Sequence, residues 1–311
     1  MPQASRKPVE MKTPRLKLLA NTMRQTMTQK LALGPEQPTF WGRISQKAFG
    51  PAPKQGRVTL VGAGPGDAEL LTLKAVRALQ SADVILFDDL VSDEVLDLAR
   101  QTARRMLVGK RGGRDSCRQE DINELMIKLA LQGKHVVRLK SGDPMIFGRA
   151  GEEIAELHDN GIPVAVVPGI SAGVALAAEL GVSLTHRDHA HSVRFVTGHA
   201  RSGKLPEDLD WKGIADPETT VIFYMGGRTA PAIATRLMSE GLRAETPVVI
   251  AKAIGRPQFS QVRTTLARLV EETSLLADGD PVLLGIGNVF AERGVLANAR
   301  PVTDAVKAAA S

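Results

Sequence analysis

One cysteine, Cys117, occurs in 311 residues, which excludes an internal disulfide and any metal site built from thiolates. Long hydrophobic runs are missing as well, since none reaches the ~18 residues that a membrane-spanning helix needs. Behind Met1-Pro2-Gln3-Ala4-Ser5-Arg6-Lys7 there is no apolar segment of the kind a secretory signal carries. The expectation is a cytoplasmic enzyme or binding protein without a membrane partner. No histidine spacing matches a zinc motif and no serine sits in a nucleophile elbow, so no metal and no catalytic triad are expected. A basic body is also lacking, despite the net charge of +6. Residues 1–55 hold ten of the 40 basic side chains and two of the 34 acidic ones, so this arm carries +8 and the remainder −2. The basicity therefore belongs to an amino-terminal arm, read as a solvated extension, and nucleic acid is not expected as a partner.

What is present is an ordinary globular composition, 43% apolar and 24% charged, at a length that suits two domains. Leu16, Leu19, Met23, Met27 and Leu31 recur at spacings of three and four, which predicts an amphipathic helix ended by Gly34-Pro35. Residues 34–56 read as a Gly- and Pro-rich linker around Phe40-Trp41. From Arg57 strands alternate with helices. Strands are predicted at 58–61, 84–87, 105–108, 136–139 and 164–167, with helices at 68–80, 93–101, 119–132, 151–160 and 172–179. That alternation implies a mostly parallel sheet covered on both faces. The second half predicts strands at 193–197, 220–224, 248–251, 259–264 and 282–285, with an antiparallel element near 258–264, and helices near 230–240 and 266–276. Two α/β domains joined near residues 185–200 follow, with a ligand cleft between them.

Several turns at the ends of these strands carry chemistry. Gly62-Ala63-Gly64-Pro65-Gly66-Asp67 approaches a dinucleotide fingerprint but has Asp67 at the third glycine, and Pro65 removes an N–H that a pyrophosphate would use. NAD is therefore excluded, and Asp67 is free to cap the next helix. Ser141-Gly142-Asp143-Pro144 is a sharp turn at the carboxyl end of a strand, where open α/β sheets place ligands. Glu152-Glu153 follow on a helix. Asp88-Asp89 and Val108-Gly109-Lys110-Arg111 end neighbouring strands, and a carboxylate and an ammonium in one cleft can act as base and acid. A surface ion pair is the competing reading. Pro168-Gly169-Ile170-Ser171-Ala172 leads into a small-residue helix whose first N–H groups can bind an anion or hydroxyl. Arg187, within Leu184-Thr185-His186-Arg187-Asp188, reads as an anion anchor. Met225, after Phe223-Tyr224, suits an adenine or thioether as well as a core.

In order, VGAGPGD at 61–67, FDDLVS at 87–92, VGKR at 108–111, RLKSGDPMIFGRAGEE at 138–153, VPGISA at 167–172, LTHRD at 184–188 and FYMG at 223–226 resemble the uroporphyrinogen-III C-methyltransferase family of tetrapyrrole methylases, and within it the methylase module of siroheme synthase. The resemblance covers about residues 56–290. It implies a two-domain α/β tetrapyrrole methylase fold with the ligand cleft between the domains, a homodimer, and S-adenosylmethionine as methyl donor. It implies methylation of carbons 2 and 7 of uroporphyrinogen III to give precorrin-2, which feeds sirohaem or cobalamin. By matching position, Pro65, Ser141, Gly142, Asp143, Ile146, Ser171, Ala172, Met225 and Ile254 fall on cofactor-contacting places. Asp88 falls on the proton acceptor, Lys110 on the proton donor, and Arg149, Glu152 and Arg187 on places that hold the tetrapyrrole. The implied layout is an extension at 1–55, methylase subdomains at 56–190 and 191–295, and a tail at 296–311. The extension resembles the last helical piece of the siroheme synthase dehydrogenase half, without its nucleotide-binding part. Two departures stand out. The usual Gly-Gly-Asp is Ser141-Gly142-Asp143, and the usual Glu-Asn-Gly/Ala-Thr is Lys252-Ala253-Ile254-Gly255. The alternatives are a methyltransferase for a later precorrin and a non-catalytic scaffold. Such chemistry needs no metal or covalent nucleophile, because an electron-rich pyrrole carbon attacks a sulfonium methyl and the enzyme has to align the two.

Overall fold

The computed structural model describes residues 55–109, 118–200, 203–269, 271 and 280–291. The predicted helix at 11–33, most of the linker, Lys110, Cys117 and the tail at 296–311 lie outside the described residues.

The first sheet contains β1 (Arg57–Gly62), β2 (Val84–Phe87), β3 (Arg104–Leu107), β4 (His135–Lys140) and β5 (Val164–Val167). Its order is β3-β2-β4-β1-β5, and all its pairings are parallel. Alternation along the strands sends side chains to two separate cores. Val61, Ile85, Val137 and Leu139 pack on one face against α1 (Leu73–Ser81) and α2 (Asp93–Asp97). Val58, Leu60, Leu86 and Val136 pack on the other against α3 (Gln119–Leu131) and α4 (Ala150–Asp159). Central parallel strands covered on both faces are apolar along most of their length, which is why short apolar runs located β1 and β2, whereas the edge strand β3 opens with exposed Arg104 and Arg105. β4 is the informative exception. All six of its residues are buried, including His135, Arg138 and Lys140.

The helix predicted at 68–80 is two pieces. A 3₁₀ turn at Ala68–Leu70 is capped by Asp67, which accepts from Glu69 N, and Thr72 then starts α1 by accepting from Ala75 N. Two caps five residues apart restart the chain in a new direction. The helix predicted at 93–101 stops at Asp97.

The second sheet contains β6 (Ser192–Thr197), β7 (Thr219–Tyr224), β8 (Pro247–Lys252), β9 (Ser260–Thr265) and β10 (Val282–Ile286), in the order β6-β7-β10-β8-β9. β6 and β7 are parallel and the other pairings antiparallel. Helices α6 (Trp211–Ile214), α7 (Ala230–Ser239) and α8 (Leu266–Leu269) cover one face. The other face is covered by a helix that precedes the sheet in sequence. Ala175, Leu176 and Leu180 of α5 (Ala172–Leu180) pack with Ile222, Tyr224, Val249 and Leu283. The small residues of α5 thus join the first sheet's last loop to the second sheet's surface.

Candidate active site

Loops at the carboxyl ends of β1, β4, β5, β7 and β8 converge on one cavity of about 210 Å³. Backbone contacts hold them together. Gly64 and Gly142 exchange hydrogen bonds in both directions, at 3.2 and 2.7 Å. Asp143 accepts from Met145 N at 2.8 Å and, through its other oxygen, from Gly169 N at 3.0 Å. Its carboxylate therefore staples the turn after β4 to the turn after β5. A Cβ on Gly169 would lie 2.3 Å from the carbonyl oxygen of Gly142, so only glycine fits.

Tyr224, at the end of β7, shares a 2.6 Å hydrogen bond with Ser171 Oγ and accepts from Gly173 N at 2.8 Å. One of the first N–H groups of α5 is thus taken by a side chain from the second sheet. Burial pushes the Tyr224 phenol up from its ordinary value, so it stays neutral. Across the cavity, Arg256 donates to the Leu90 carbonyl, tying the loop after β8 to the loop after β2.

Backbone strain concentrates here. Among the described residues, the non-glycine residues with left-handed φ are Phe147, Arg149, Met225 and Ala253. The first three line the cavity or its neighbour, and Ala253 adjoins Ile254 in the lining. Such conformations cost about 1–3 kcal/mol each and cluster where function requires them.

Pro65, Ser141, Gly142, Asp143, Ile146, Ser171, Ala172, Met225 and Ile254 all line this cavity. The departure at Lys252–Gly255 keeps Ile254 in place. Sequence reasoning missed Tyr224 and Arg256, which line it too. The one signal available was a lone tyrosine beside Met225.

A second cavity, about 490 Å³, adjoins the first and shares Leu90, Ser141, Ile146 and Phe147 with it. Its wall is charged, with Asp88, Arg138, Lys140 and Arg149. Gly109 also lines it, and the next residue, Lys110, lies outside the described residues. The described partner of Asp88 is Arg138, at 2.6 Å. Arg138 in turn donates to Glu153 Oε1 at 3.2 Å, as does Lys140 at 2.9 Å. Burial pushes the Lys140 ammonium down from its ordinary value, helped by the charge of Arg138 and opposed by Glu153 and Asp88. Glu152 lies outside both linings and binds Arg149 through both oxygens, at 3.0 and 2.6 Å. That bond pushes the Arg149 guanidinium further up. Arg187 is exposed and lines neither cavity, so the structure does not bring it to the other candidates.

Residues 57–270 match the family described as tetrapyrrole (corrin/porphyrin) methylases. The chain belongs to this family. It is 48% identical over 255 residues to the siroheme synthase of Azotobacter vinelandii, covering 82% of this chain and 54% of that protein. The siroheme synthase of Stutzerimonas stutzeri is 46% identical over 258 residues. The chain spans about half the length of the curated relatives it matches. Among solved structures, a uroporphyrin-III C-methyltransferase from Thermus thermophilus complexed with S-adenosyl homocysteine has a TM-score of 0.65 and 39% identity, covering 76% of this chain and 99% of that one. A cobalt precorrin-4 methyltransferase has a TM-score of 0.68 at 26% identity, covering 77% of this methylase and 98% of its own chain.

Proposed function

We propose that this tetrapyrrole methylase is an S-adenosylmethionine-dependent uroporphyrinogen-III C-methyltransferase that methylates carbons 2 and 7 to give precorrin-2. The observation that carries this reading is the pair of adjoining cavities, one lined by backbone and apolar groups, the other by charge. The first fits the methyl donor. Ser141, Ser171 and Ala172 line it with polar side-chain and main-chain groups, and Ile146, Met225 and Ile254 offer apolar surface. Gly142 at φ 67° lets the backbone approach a ligand without a Cβ in the way. When bound there, S-adenosylmethionine supplies an electrophilic methyl group.

The chain's own residues do the rest. Asp88, at the wall of the charged cavity, accepts the proton that the methylated tetrapyrrole gives up, and Arg138 holds its carboxylate in place. Lys110 is the proton donor in this reading. Arg149, oriented by its two bonds to Glu152, meets the carboxylates of the tetrapyrrole, whereas Arg187, outside both cavities, has no part in this reading. The enzyme acts as a homodimer in the cytoplasm; exposed Val166 on the edge strand β5 is apolar surface that a second copy would cover. Its product supplies sirohaem or cobalamin formation. Incubation with uroporphyrinogen III and methyl-labelled S-adenosylmethionine should transfer two labels per tetrapyrrole and develop the absorbance of precorrin-2. Tight NAD binding without label transfer would overturn the reading.

A further inference from the structure

Glu153 is completely buried on α4, yet no described ligand site reaches it. One oxygen, Oε1, accepts from Arg138 Nε at 3.2 Å, Lys140 Nζ at 2.9 Å and Gln119 Nε2 at 3.1 Å. The other, Oε2, is buried without a partner. A half-satisfied buried carboxylate is a poor stabiliser, since a well-packed apolar residue commonly serves stability as well or better. Its presence points to what it does for its neighbours.

Those neighbours differ. Arg138 is more heavily engaged, with four hydrogen bonds from its five N–H groups, to Glu153, to Asp88 and to the carbonyls of Leu86 and Leu139. Lys140 is less so. Among the described residues its ammonium has one hydrogen-bond partner, Glu153, which leaves two N–H groups on a residue that lines the charged cavity. Its stem passes Gly148, where a Cβ would come within 3.2 Å of Lys140 Cε as well as 2.4 Å of the Pro144 carbonyl oxygen, so the loop packs closely on it.

We propose that Lys140 contacts the anionic tetrapyrrole in this cavity, and that Glu153 is the positioning residue that holds the ammonium in place and charged. This rests on the function proposed above. The charged groups facing Lys140 are Arg138 on its own strand, Glu153 from α4 and Asp88 after β2; Gln119 of α3 joins the cluster uncharged. Burial and Arg138 both disfavour the ammonium, so without Glu153 it should lose its proton at lower pH.

The test has two readouts. Lysine ¹³Cε resonances, with Lys140 assigned through Lys140→Arg, report its titration without any ligand. Glu153→Gln should move that titration down by about one pH unit or more. Glu153→Asp, which withdraws the charge by one methylene, should move it less in the same direction, and decides the matter if Glu153→Gln does not fold. An unchanged titration would overturn the role of Glu153. Binding of uroporphyrin III, a stable octacarboxylate, is then followed by fluorescence at pH 8. Lys140→Met should weaken it about tenfold or more while S-adenosylhomocysteine affinity stays within twofold. Unchanged uroporphyrin binding would overturn the contact. A wild-type protein that binds uroporphyrin III through Lys140 but does not methylate uroporphyrinogen III would sink the proposed activity and leave this site standing.

Discussion

Asp88 and Asp143 are both carboxylates at the ends of strands, and their partners separate their roles. Asp88 lines the charged cavity with Arg138 as its partner, so it can reach a substrate. Asp88→Asn should lower single-turnover methyl transfer by about 10²–10⁴-fold, with S-adenosylhomocysteine affinity nearly unchanged. A wild-type rate in that variant would show that proton acceptance lies elsewhere. Asp143 uses both oxygens on backbone N–H groups of Met145 and Gly169. Losing hydrogen bonds to a charged group typically costs about 1.5–3 kcal/mol, so Asp143→Ala should lower the melting temperature and weaken cofactor binding together. Weaker binding by calorimetry with an unchanged melt would instead mean that the carboxylate touches the ligand directly. Met225 is the third instructive residue. Its φ of 58° is strained for any side chain, and its side chain lines the first cavity while half exposed. Met225→Gly should raise stability by about 1 kcal/mol and weaken S-adenosylhomocysteine binding, a trade that thermal melts and calorimetry can read.

At the scale of elements, the site depends on how closely three loops approach. Gly62, Gly142 and Gly169 pack main chain on main chain, with Cβ positions 2.3–2.8 Å from backbone atoms at Gly62 and Gly169. Backbone cannot move aside as a flexible side chain can. Gly169→Ala should therefore destabilise by at least about 1–3 kcal/mol in denaturant unfolding and splay the cavity wall. A fully stable Gly169→Ala variant would show that the loops have room to separate. Helix α5 matters for the same reason. It follows the first sheet in sequence but buries its apolar side on the second, and Tyr224 fastens its start through Ser171 and Gly173.

For the whole molecule, the amino-terminal end of the first sheet holds a pH-sensitive cluster remote from the site. His135 is buried on β4 with Thr59 Oγ1 at 2.9 Å, and its backbone N–H donates to Asp83. Burial holds the imidazole below its ordinary value of 6.5, against the opposing hydrogen bond to the Ser81 carbonyl. The unfolded chain then binds more protons than the folded one just below that value. The stability from neutral His135 is therefore complete above pH ~6.5 and is lost as the pH falls through the folded value. Asp83, also held below its ordinary value of 3.8, first by the His135 N–H, adds a second loss only under acid conditions below that value. The melting temperature should fall between pH 7 and pH 5, and His135→Gln should flatten that fall. An equally steep fall in the variant would assign it to other groups.

Much of this architecture is legible in the sequence, because strands buried on both faces are apolar along most of their length and the turns between them carry Gly, Pro and Asp. The runs at Val58–Val61 and Val84–Phe87 announced the first sheet's buried strands, and the motifs at 61–67, 138–153 and 167–172 mark loops that meet at the first cavity. The break between Leu70 and Leu73 was less visible, since Asp67 and Thr72 are both ordinary caps and only their geometry shows that both are used. What the tertiary structure alone decided was partnership. Arg138 and Lys140 look like surface cations in an apolar strand, and Glu153 looks like the twin of Glu152. Burial makes one glutamate the shared acceptor of three donors and leaves the other on an exposed arginine. Tyr224 and Arg256 likewise gained roles only when the second sheet closed on the first. Local pattern fixes how each segment folds, but which buried charges meet depends on residues far apart in sequence, and desolvation sets their chemistry only once they are packed together.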